Sequence, residues 1–404
     1  MSAEHDSAIS NRIASEVATM EYVATYATIP VPEVFHHSAH ADGDVRSPYI
    51  LMSKVAGVPL SSVWNDMDDD KRHVILRQVI DILLELWSHR FDTRGALLKK
   101  PDDSDAKGKD AWYIKSSSIF SDPDDTGSRH RLSTTSYPHA ADYWLAYANA
   151  KLLDISHSNF GSDTKPYLHA QAWFMRSLIP ALFDPALDAE GCPLSPGDFH
   201  SQNIMVDVDS DTNHPHPKIT SVIDWEFSGP DYVSSFAQYP LFIVDHPMWD
   251  EDHPMRERNV RDQATFDKLI REAERRNSRH SVPGERLSRL ISGSNAIYLF
   301  QQAMQFPDMY GPVYPLLFAH VFGDDEDATF STDYYWALME KGILRKDKER
   351  FDMENGVWLE AREVFGEDGV SRDMNATEFR DMILKNRDKF EEGGSVFAWL
   401  GSVG

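Results

Sequence analysis

LSPGDFHSQNIMVD, residues 194–207, is the stretch of sequence that most constrains the fold of this chain. It places Asp198 and Asn203 in one loop, with four residues between them, and it leads into the short apolar run IMV. A second stretch, VIDWEFSGP at 222–230, carries Asp224 at the end of another apolar run. The two apolar runs predict a pair of strands joined by a polar loop. We therefore expect the three polar residues to lie at the ends of neighbouring strands.

The chemistry that suits this spacing is phosphoryl transfer to a hydroxyl group. Such a reaction needs a carboxylate that orients the hydroxyl or accepts its proton, and oxygen ligands for Mg²⁺ between the nucleotide phosphates. An Asp, an Asn five positions later and a second Asp after a neighbouring strand is the order that protein kinases use. An isolated D-x-x-x-x-N motif would mean little. Its combination with GDFH before and IDWE after is specific.

With these motifs, the chain resembles the aminoglycoside phosphotransferase-like branch of the protein-kinase-like fold, and most closely its fungal members. The resemblance implies an α+β, two-lobed fold with a truncated small lobe and a mainly helical large lobe. It also implies a kinase that uses ATP and Mg²⁺ and transfers the γ-phosphoryl group of ATP to a hydroxyl of a small molecule. The matching segments are SEVATMEYV (15–23), IPVPEVF (29–35), PYILMSKVAGVPL (48–60), PGDFHSQNIMVD (196–207) and IDWEFSGP (223–230).

The resemblance assigns roles in the catalytic and metal loops. Asp198 matches the catalytic base, and Asn203 and Asp224 match the residues that bind magnesium. His200 is either a structural hydrogen-bonding residue of the loop or a contact to phosphate or substrate.

The resemblance also assigns roles in nucleotide binding. Glu16, on the first predicted helix, matches the glutamate that pairs with a phosphate-holding lysine. Met52 matches the gatekeeper beside the adenine pocket. Ser53, Lys54 and Val55 match the hinge, whose backbone would hydrogen-bond adenine.

Two features depart from the pattern of the family. Pro196 stands where the family usually has a histidine that organises the catalytic loop. The sequence has no lysine before Lys54 and no glycine before Gly43, so the glycine-rich loop and the lysine strand expected before Glu16 are missing. Arg12 lies on or next to the helix of Glu16, and we do not expect it to replace a lysine from a facing strand. Alternatives to an active kinase are therefore a catalytically impaired pseudokinase that acts as a binding module, or a truncated gene model of an active kinase.

The domain organisation follows from the same comparison. We expect residues 1–57 to be the remnant of the small lobe, with one helix, two strands and the hinge. Residues 58–345 form the predicted large lobe, in which the polar stretch 99–136 is expected to be a surface insertion, and residues 346–404 form a helical extension. Apolar periodicity predicts helices at 13–27, 71–89, 139–155 and 168–182 and from about 258 onward, and strands at 33–37, 48–55, 204–207 and 218–224.

Composition excludes several classes of protein. With 404 residues, 41% hydrophobic residues and 26% charged residues, the chain is not disordered throughout. A net charge of −25 argues against a nucleic-acid partner, since such proteins need a basic face. The single cysteine, Cys192, excludes a disulfide framework within the chain. We see neither a signal peptide nor an apolar run long enough to span a membrane, so we expect a cytoplasmic protein whose partner is a small-molecule acceptor. The identity of the acceptor and the oligomeric state do not follow from the sequence.

Overall fold

The structure is a computed structural model that combines helices with small antiparallel sheets. It divides into two compact units, one made of residues 1–120, 135–140 and 183–298 and the other of residues 121–134, 141–182 and 299–404. The structure describes residues 3–40, 45–100, 107–115, 137–157, 165–208, 216–250, 252–276, 286–306, 309–322, 341–342, 353, 356–357, 360–366, 376–391 and 393–402.

The described elements begin with a long helix and alternate afterwards between short strands and helices. The strands are β1 (Val34–Ser38), β2 (Tyr49–Met52), β3 (Val58–Pro59), β4 (Arg90–Phe91), β5 (Ala96–Lys99), β6 (Trp112–Lys115), β7 (Cys192–Ser195), β8 (Ile204–Asp207), β9 (Lys218–Val222) and β10 (Gly229–Pro230). The helices are α1 (Ala3–Tyr26), α2 (Asp69–Ser88), α3 (Ala140–His157), α4 (Lys165–Leu182), α5 (Val233–Phe236), α6 (Pro254–Arg276), α7 (Leu287–Ser292), α8 (Asn295–Gln305), α9 (Tyr310–Phe322), α10 (Ala376–Lys385) and α11 (Ser395–Ser402).

Within the described residues, the strands form four small sheets in the orders β1-β2, β10-β7-β4, β3-β8-β9 and β5-β6, each with antiparallel neighbours. The predicted strands at 33–37, 48–55, 204–207 and 218–224 correspond to β1, β2, β8 and β9. The predicted α+β fold class is therefore confirmed. Strands β8 and β9 pair Ile204 with Val222, which brings the loops at their ends together.

Helix α1 is longer than the sequence pattern predicts. It begins at Ala3 rather than at residue 13, and it ends at Tyr26, just before the IPVP segment. Its apolar residues Val17, Met20 and Val23 are buried. Residues 3–12 read AEHDSAISNR, and apolar periodicity could not mark this first part of the helix because it holds few apolar residues.

Helix α2 forms the centre of the core of the first unit. Asp68 caps its N-terminus by accepting the N–H of Lys71 at 2.9 Å. Ile75, Val79 and Leu86 on its apolar face are fully buried, and the helix packs against α6, β7 and β9. Because β7 and β9 lead into the two loops that carry Asp198 and Asp224, this packing fixes the base of both loops.

The structure differs from the prediction for the stretch 99–136. Residues 112–115 form β6, which pairs with β5, and the indole N–H of Trp112 donates to the carbonyl of Ala18 in α1 at 3.1 Å. This segment is therefore packed against α1 rather than exposed as an insertion. Residues 101–106 and 116–136 lie outside the described residues. The predicted domain boundary at residue 57 does not coincide with the boundary of a compact unit, and it stays a prediction.

The second unit is built from helices and aromatic contacts. The predicted helices at 139–155 and 168–182 are confirmed as α3 and α4. Trp144 meets Phe300 edge-on, with ring centroids 5.5 Å apart, and Phe174 meets Tyr314 in the same way at 5.0 Å. A smaller apolar cluster lies nearer the C-terminus and consists of Val357, Ala361, Ile383, Phe390 and Val396. In the part of the chain that the structure describes, no helix combines the length and the apolar character needed to cross a membrane.

Candidate active site

The loop between β7 and β8 closes on itself through Asn203. The side-chain N–H groups of Asn203 donate to the main-chain carbonyl of Asp198 and to its carboxylate Oδ2, both at 3.0 Å. Asn203 is held in place because the next residue, Ile204, begins the buried strand β8. The predicted pair of Asp198 and Asn203 is therefore in direct contact.

His200 also contacts Asp198. Its Nδ1 accepts the backbone N–H of Gln202 at 3.1 Å, so in the neutral ring the proton is on Nε2. Nε2 lies 3.2 Å from Asp198 Oδ2. That oxygen thus accepts a hydrogen bond from Asn203 and lies in contact with the His200 ring. The other carboxylate oxygen, Oδ1, has no hydrogen-bond partner among the described residues.

The loop after β9 carries Asp224 in an unusual backbone conformation. Asp224 and Phe227 have φ angles of 59° and 58°, in the left-handed region that residues with a side chain seldom adopt. Trp225 between them is buried, and its indole N–H donates to the carbonyl of Val222 at 3.0 Å. This anchor holds the loop in place, while the side chain of Asp224 is exposed.

The two loops are joined by backbone contacts. The N–H of Ile223 donates to the carbonyl of Asn203 at 2.9 Å, and the N–H of Gly197 donates to Ser228 Oγ at 2.9 Å. At Gly197 the chains approach so closely that an added Cβ would lie within 3.0 Å of the carbonyl group of Phe227. The structure therefore places the loops of Asp198 and Asp224 side by side, as the motif spacing predicts.

The donor set at these loops fits a magnesium ion. Both N–H groups of the Asn203 side chain face Asp198, which leaves its amide oxygen for a ligand. The carboxylate of Asp224 supplies a second oxygen. Mg²⁺ is usually held by one or two protein oxygen ligands together with substrate phosphates. Among the described residues, no three His, Cys, Asp or Glu side chains are grouped as a metal cage.

Helix α1 brings Glu16 to the same place. Burial raises the pKa of Glu16 to about 7, with further contributions from the nearby negative charges of Asp224 and Glu226, and the positive charge of Arg12 opposes this rise. The structure thus places Glu16 beside the Asp224 loop. The cation that acts on it is Arg12, from one turn earlier in the same helix.

The predicted hinge is only partly available to a nucleotide. Met52 ends β2 opposite Val34 and packs against the core. The N–H of Ser53 donates to the carbonyl of Glu33 at 2.8 Å, so it is not free to bind adenine as predicted. The reason is that Ser53 extends the pairing of β1 with β2 by one residue. The N–H and C=O groups of Lys54 and Val55 have no partner among the described residues.

Sequence reasoning missed one residue of this site and gave little weight to another. Glu226 lies two positions after Asp224, and Nε of Arg12 lies 3.7 Å from its Oε2. The spacing of Arg12 and Glu16, four residues on one helix, was a signal that the two share a face. No local pattern indicated that this face meets Glu226.

A cavity of about 400 Å³ opens on another face of α1. Its lining contains none of the predicted site residues. Met20, Glu21 and Ala24 of α1 contribute to it, together with Lys99 and Trp112 from β5 and β6.

Comparisons with known proteins point to one family. The family model described as the phosphotransferase enzyme family matches residues 5–235, more than half of the chain. A subtelomeric hrmA-associated cluster protein of Aspergillus fumigatus is 38% identical over 89 residues, which cover 22% of this chain and 18% of that protein. The altered inheritance of mitochondria protein 9 of Lachancea thermotolerans, named as mitochondrial, is 36% identical over 112 residues, which cover 26% of this chain and 18% of that protein.

The chain thus spans about a fifth of the length of the curated relatives it matches. One solved structure, from Ralstonia eutropha, covers 80% of each chain at 16% identity and a TM-score of 0.40. The protein in that structure is described as an aminoglycoside phosphotransferase, and this description is an inference.

Proposed function

The chain belongs to the phosphotransferase enzyme family, and from this premise we propose that it transfers the γ-phosphoryl group of ATP to a hydroxyl group of a small molecule. The observation that carries the proposal is the arrangement around Asp198. Its Oδ2 accepts an N–H of Asn203 and lies 3.2 Å from His200 Nε2, and its Oδ1 is left for an incoming hydroxyl. A carboxylate fixed in this way orients the acceptor before reaction, which is where much of the rate enhancement of such enzymes arises.

In the proposed reaction, Asp198 Oδ1 accepts the proton of the acceptor hydroxyl. The hydroxyl oxygen forms a bond to the γ-phosphorus, the bond between that phosphorus and the β–γ bridging oxygen breaks, and ADP leaves. The hydrogen bond from Asn203 keeps the carboxylate in one orientation, and the nearby His200 ring limits its movement until the proton arrives.

Asn203 and Asp224 are the residues that would hold magnesium. When bound, Mg²⁺ neutralises charge on the nucleotide phosphates. The contact from the N–H of Ile223 to the carbonyl of Asn203 keeps the two candidate ligands at a fixed separation. The backbone of Lys54 and Val55 supplies the groups that would bind adenine.

The first experiment is a thermal-shift titration of the full chain with ATP and MgCl₂. A ligand at a hundred times its dissociation constant stabilises a fold by about 2.7 kcal/mol, which is readily detected. We expect a magnesium-dependent shift that Asp224→Ala loses. Asp70→Ala, which removes an exposed carboxylate at the start of α2, is the matched control and should respond like the wild type. A wild-type chain that shows no shift at millimolar nucleotide would contradict the proposal.

The second experiment measures ADP formation with a panel of hydroxyl acceptors that includes amino alcohols, sugars and aminoglycosides. For any acceptor that is turned over, Asp198→Ala should lower the rate at least about 100-fold, as expected when a general base is lost. Full turnover by this variant would rule out the assigned role. Nucleotide binding without turnover of any acceptor would favour the alternative, a pseudokinase that acts as a binding module.

A further inference from the structure

Arg12 reaches from α1 to the loop that carries Asp224. Its Nε lies 3.7 Å from Glu226 Oε2, and its guanidinium carbon lies 5.6 Å from the centre of the Phe227 ring. Arg12 therefore contacts both residues that follow Trp225 in this loop, although they are more than two hundred positions away in the sequence.

The surroundings of Arg12 are strongly negative. Glu16 interacts with Asp224 and Glu226, and Glu226 interacts with Asp224 and Asp198, so four carboxylates influence one another. For both glutamates, Arg12 is the cation that opposes this negative charge. A nucleotide with three phosphates adds negative charge to such a site, so its binding requires positive charge on the protein side.

The guanidinium of Arg12 makes few contacts with the described residues. Its contact with Glu226, 3.7 Å from Nε, is too long for a hydrogen bond, and none of its N–H groups makes a hydrogen bond with the described residues. The side chain is 41% exposed. The buried Arg72 shows the contrasting, structural arrangement, because it is 9% exposed and contacts the Met67 carbonyl and the carboxylates of Asp69 and Asp262.

We propose that Arg12 binds phosphate oxygens of the nucleotide through its two terminal nitrogens. The planar fork of an arginine matches two phosphate oxygens and gives short, charge-assisted hydrogen bonds. The inference rests on the proposed function, and it adds a phosphate-binding residue that the family resemblance does not assign. It revises the expectation from the sequence that Arg12 would not replace the missing phosphate-holding lysine.

The test measures calorimetric dissociation constants of the full chain for two probes, ATP with MgCl₂ and adenosine. Arg12→Gln should weaken the binding of magnesium-ATP about tenfold or more, the loss expected for a charge-assisted hydrogen bond. Adenosine binding should not change, because adenosine has no phosphate. Arg12→Lys keeps the charge but not the fork. Its dissociation constant for magnesium-ATP should therefore fall between that of the wild type and that of Arg12→Gln.

A matched variant, Glu226→Gln, separates phosphate binding from a structural role. It releases Arg12 from its partner, so magnesium-ATP should bind at least as tightly as to the wild type. If Arg12 acts only by tying α1 to the loop, Glu226→Gln will weaken magnesium-ATP as Arg12→Gln does, and adenosine will be weakened as well. That result would overturn the inference.

Two further outcomes are decisive. Equal affinity of the wild type and Arg12→Gln for magnesium-ATP would overturn this inference alone. Absence of magnesium-ATP binding by the wild type would overturn the proposed function together with it.

Because an exposed ion pair contributes little stability, Arg12→Gln should keep the Tm of the wild type. Should Arg12→Gln unfold, Arg12→Lys carries the test, and wild-type affinity in that variant would overturn the role of the fork.

Discussion

Gly197 lacks a side chain at the point where the Asp198 loop and the Asp224 loop come closest. A methyl group there would lie within 3.0 Å of the Phe227 carbonyl, so one of the two loops must shift. We expect Gly197→Ala to lower the free energy of unfolding by about 1–3 kcal/mol, as other overpacking substitutions do, and to weaken nucleotide binding because the displaced residues belong to the candidate site.

Urea unfolding and nucleotide titration of Gly197→Ala test this expectation. The matched control is Gly311→Ala in α9, where an added methyl group meets nothing within 4 Å. That change should be neutral or slightly stabilising, since alanine favours helix over glycine. Equal stability of Gly197→Ala and the wild type would show that the loops are not as close as described.

Glu16 makes the stability of the protein depend on pH. Burial and neighbouring carboxylates raise its pKa to about 7 from an ordinary value of 4.5. The folded state therefore binds more protons than the unfolded state between these values, so the free energy of unfolding should fall as the pH rises from about 4.5 to about 7. We expect Glu16→Gln to remove this dependence and to be more stable than the wild type at pH 8 by about 1 kcal/mol, after allowance for partial exposure.

Unfolding curves at pH 5 and pH 8, in a chelator and without nucleotide, measure the effect of Glu16→Gln. Glu21→Gln provides the control, because Glu21 lies on the same helix but pairs with Lys99 at 2.8 Å. Loss of that pair should not stabilise the chain at pH 8. The stability advantage of Glu16→Gln over the wild type should be larger at pH 8 than at pH 5. An equal advantage at both pH values would contradict the description of this side chain as half-buried among carboxylates.

Residues of the site differ in how far the sequence predicts them. Asp198, Asn203 and Asp224 each lie only a few residues from a predicted apolar strand. The position of the strand therefore restricts the position of each of these side chains. Arg12 and Glu226 meet only because α1 packs beside the Asp224 loop. That contact depends on the whole core, and no local pattern specifies it. The hinge shows the same limit, since the N–H of Ser53 is lost to the carbonyl of Glu33 across the β1-β2 pair.

At the scale of elements, β6 is a strand that the sequence pattern did not reveal. Its four residues WYIK stand between polar stretches, and their partner β5 lies across a polar segment. Helices α2, α3 and α4 were predictable because apolar residues recur along them at helical spacing. A four-residue strand is too short to show a comparable period, and only its pairing and its contact with α1 define it.

Trp112 links β6 to α1, and this link can be tested. Its indole N–H bonds the carbonyl of Ala18 at 3.1 Å, and its ring meets Tyr22 and Tyr26 edge-on at 5.7 Å and 5.4 Å. Trp112→Phe keeps an aromatic ring but loses the donor, so we expect it to lower the free energy of unfolding by about 1 kcal/mol. Tyr113→Phe is the control, because the neighbouring ring is 44% exposed and the change should stay within about 0.5 kcal/mol.

Urea denaturation followed by fluorescence compares the two variants. Equal stability of Trp112→Phe and Tyr113→Phe would mean that β6 does not dock on α1. In that case the stretch 99–136 would be the surface insertion that its polar composition suggests.

At the scale of the whole molecule, the net charge can be read from the sequence, whereas the boundaries of the compact units cannot. Composition alone fixes a net charge of −25 and an isoelectric point near 5.0. The division into compact units depends on contacts between distant segments, and for this reason the expected boundary at residue 57 has no counterpart among them.

The charge surplus leads to a prediction about ionic strength. A net charge of −25 opposes the compact state through repulsion between like charges. Raising NaCl from about 10 mM to about 200 mM shortens the Debye length from about 30 Å to below about 10 Å, so most of this repulsion is screened. The same salt weakens exposed ion pairs such as Lys99 with Glu21, but exposed pairs contribute little. The pair of Arg94 and Asp231, at 2.6 Å with side chains 13% and 19% exposed, is shielded from solvent ions.

Because repulsion therefore outweighs the attraction within exposed pairs, we expect the Tm of the nucleotide-free chain to rise by a few degrees in NaCl. KCl at equal ionic strength should give the same rise, since screening does not distinguish the two cations. A Tm that falls with salt would mean that exposed ion pairs, rather than the carboxylate surplus, determine the electrostatic part of the stability.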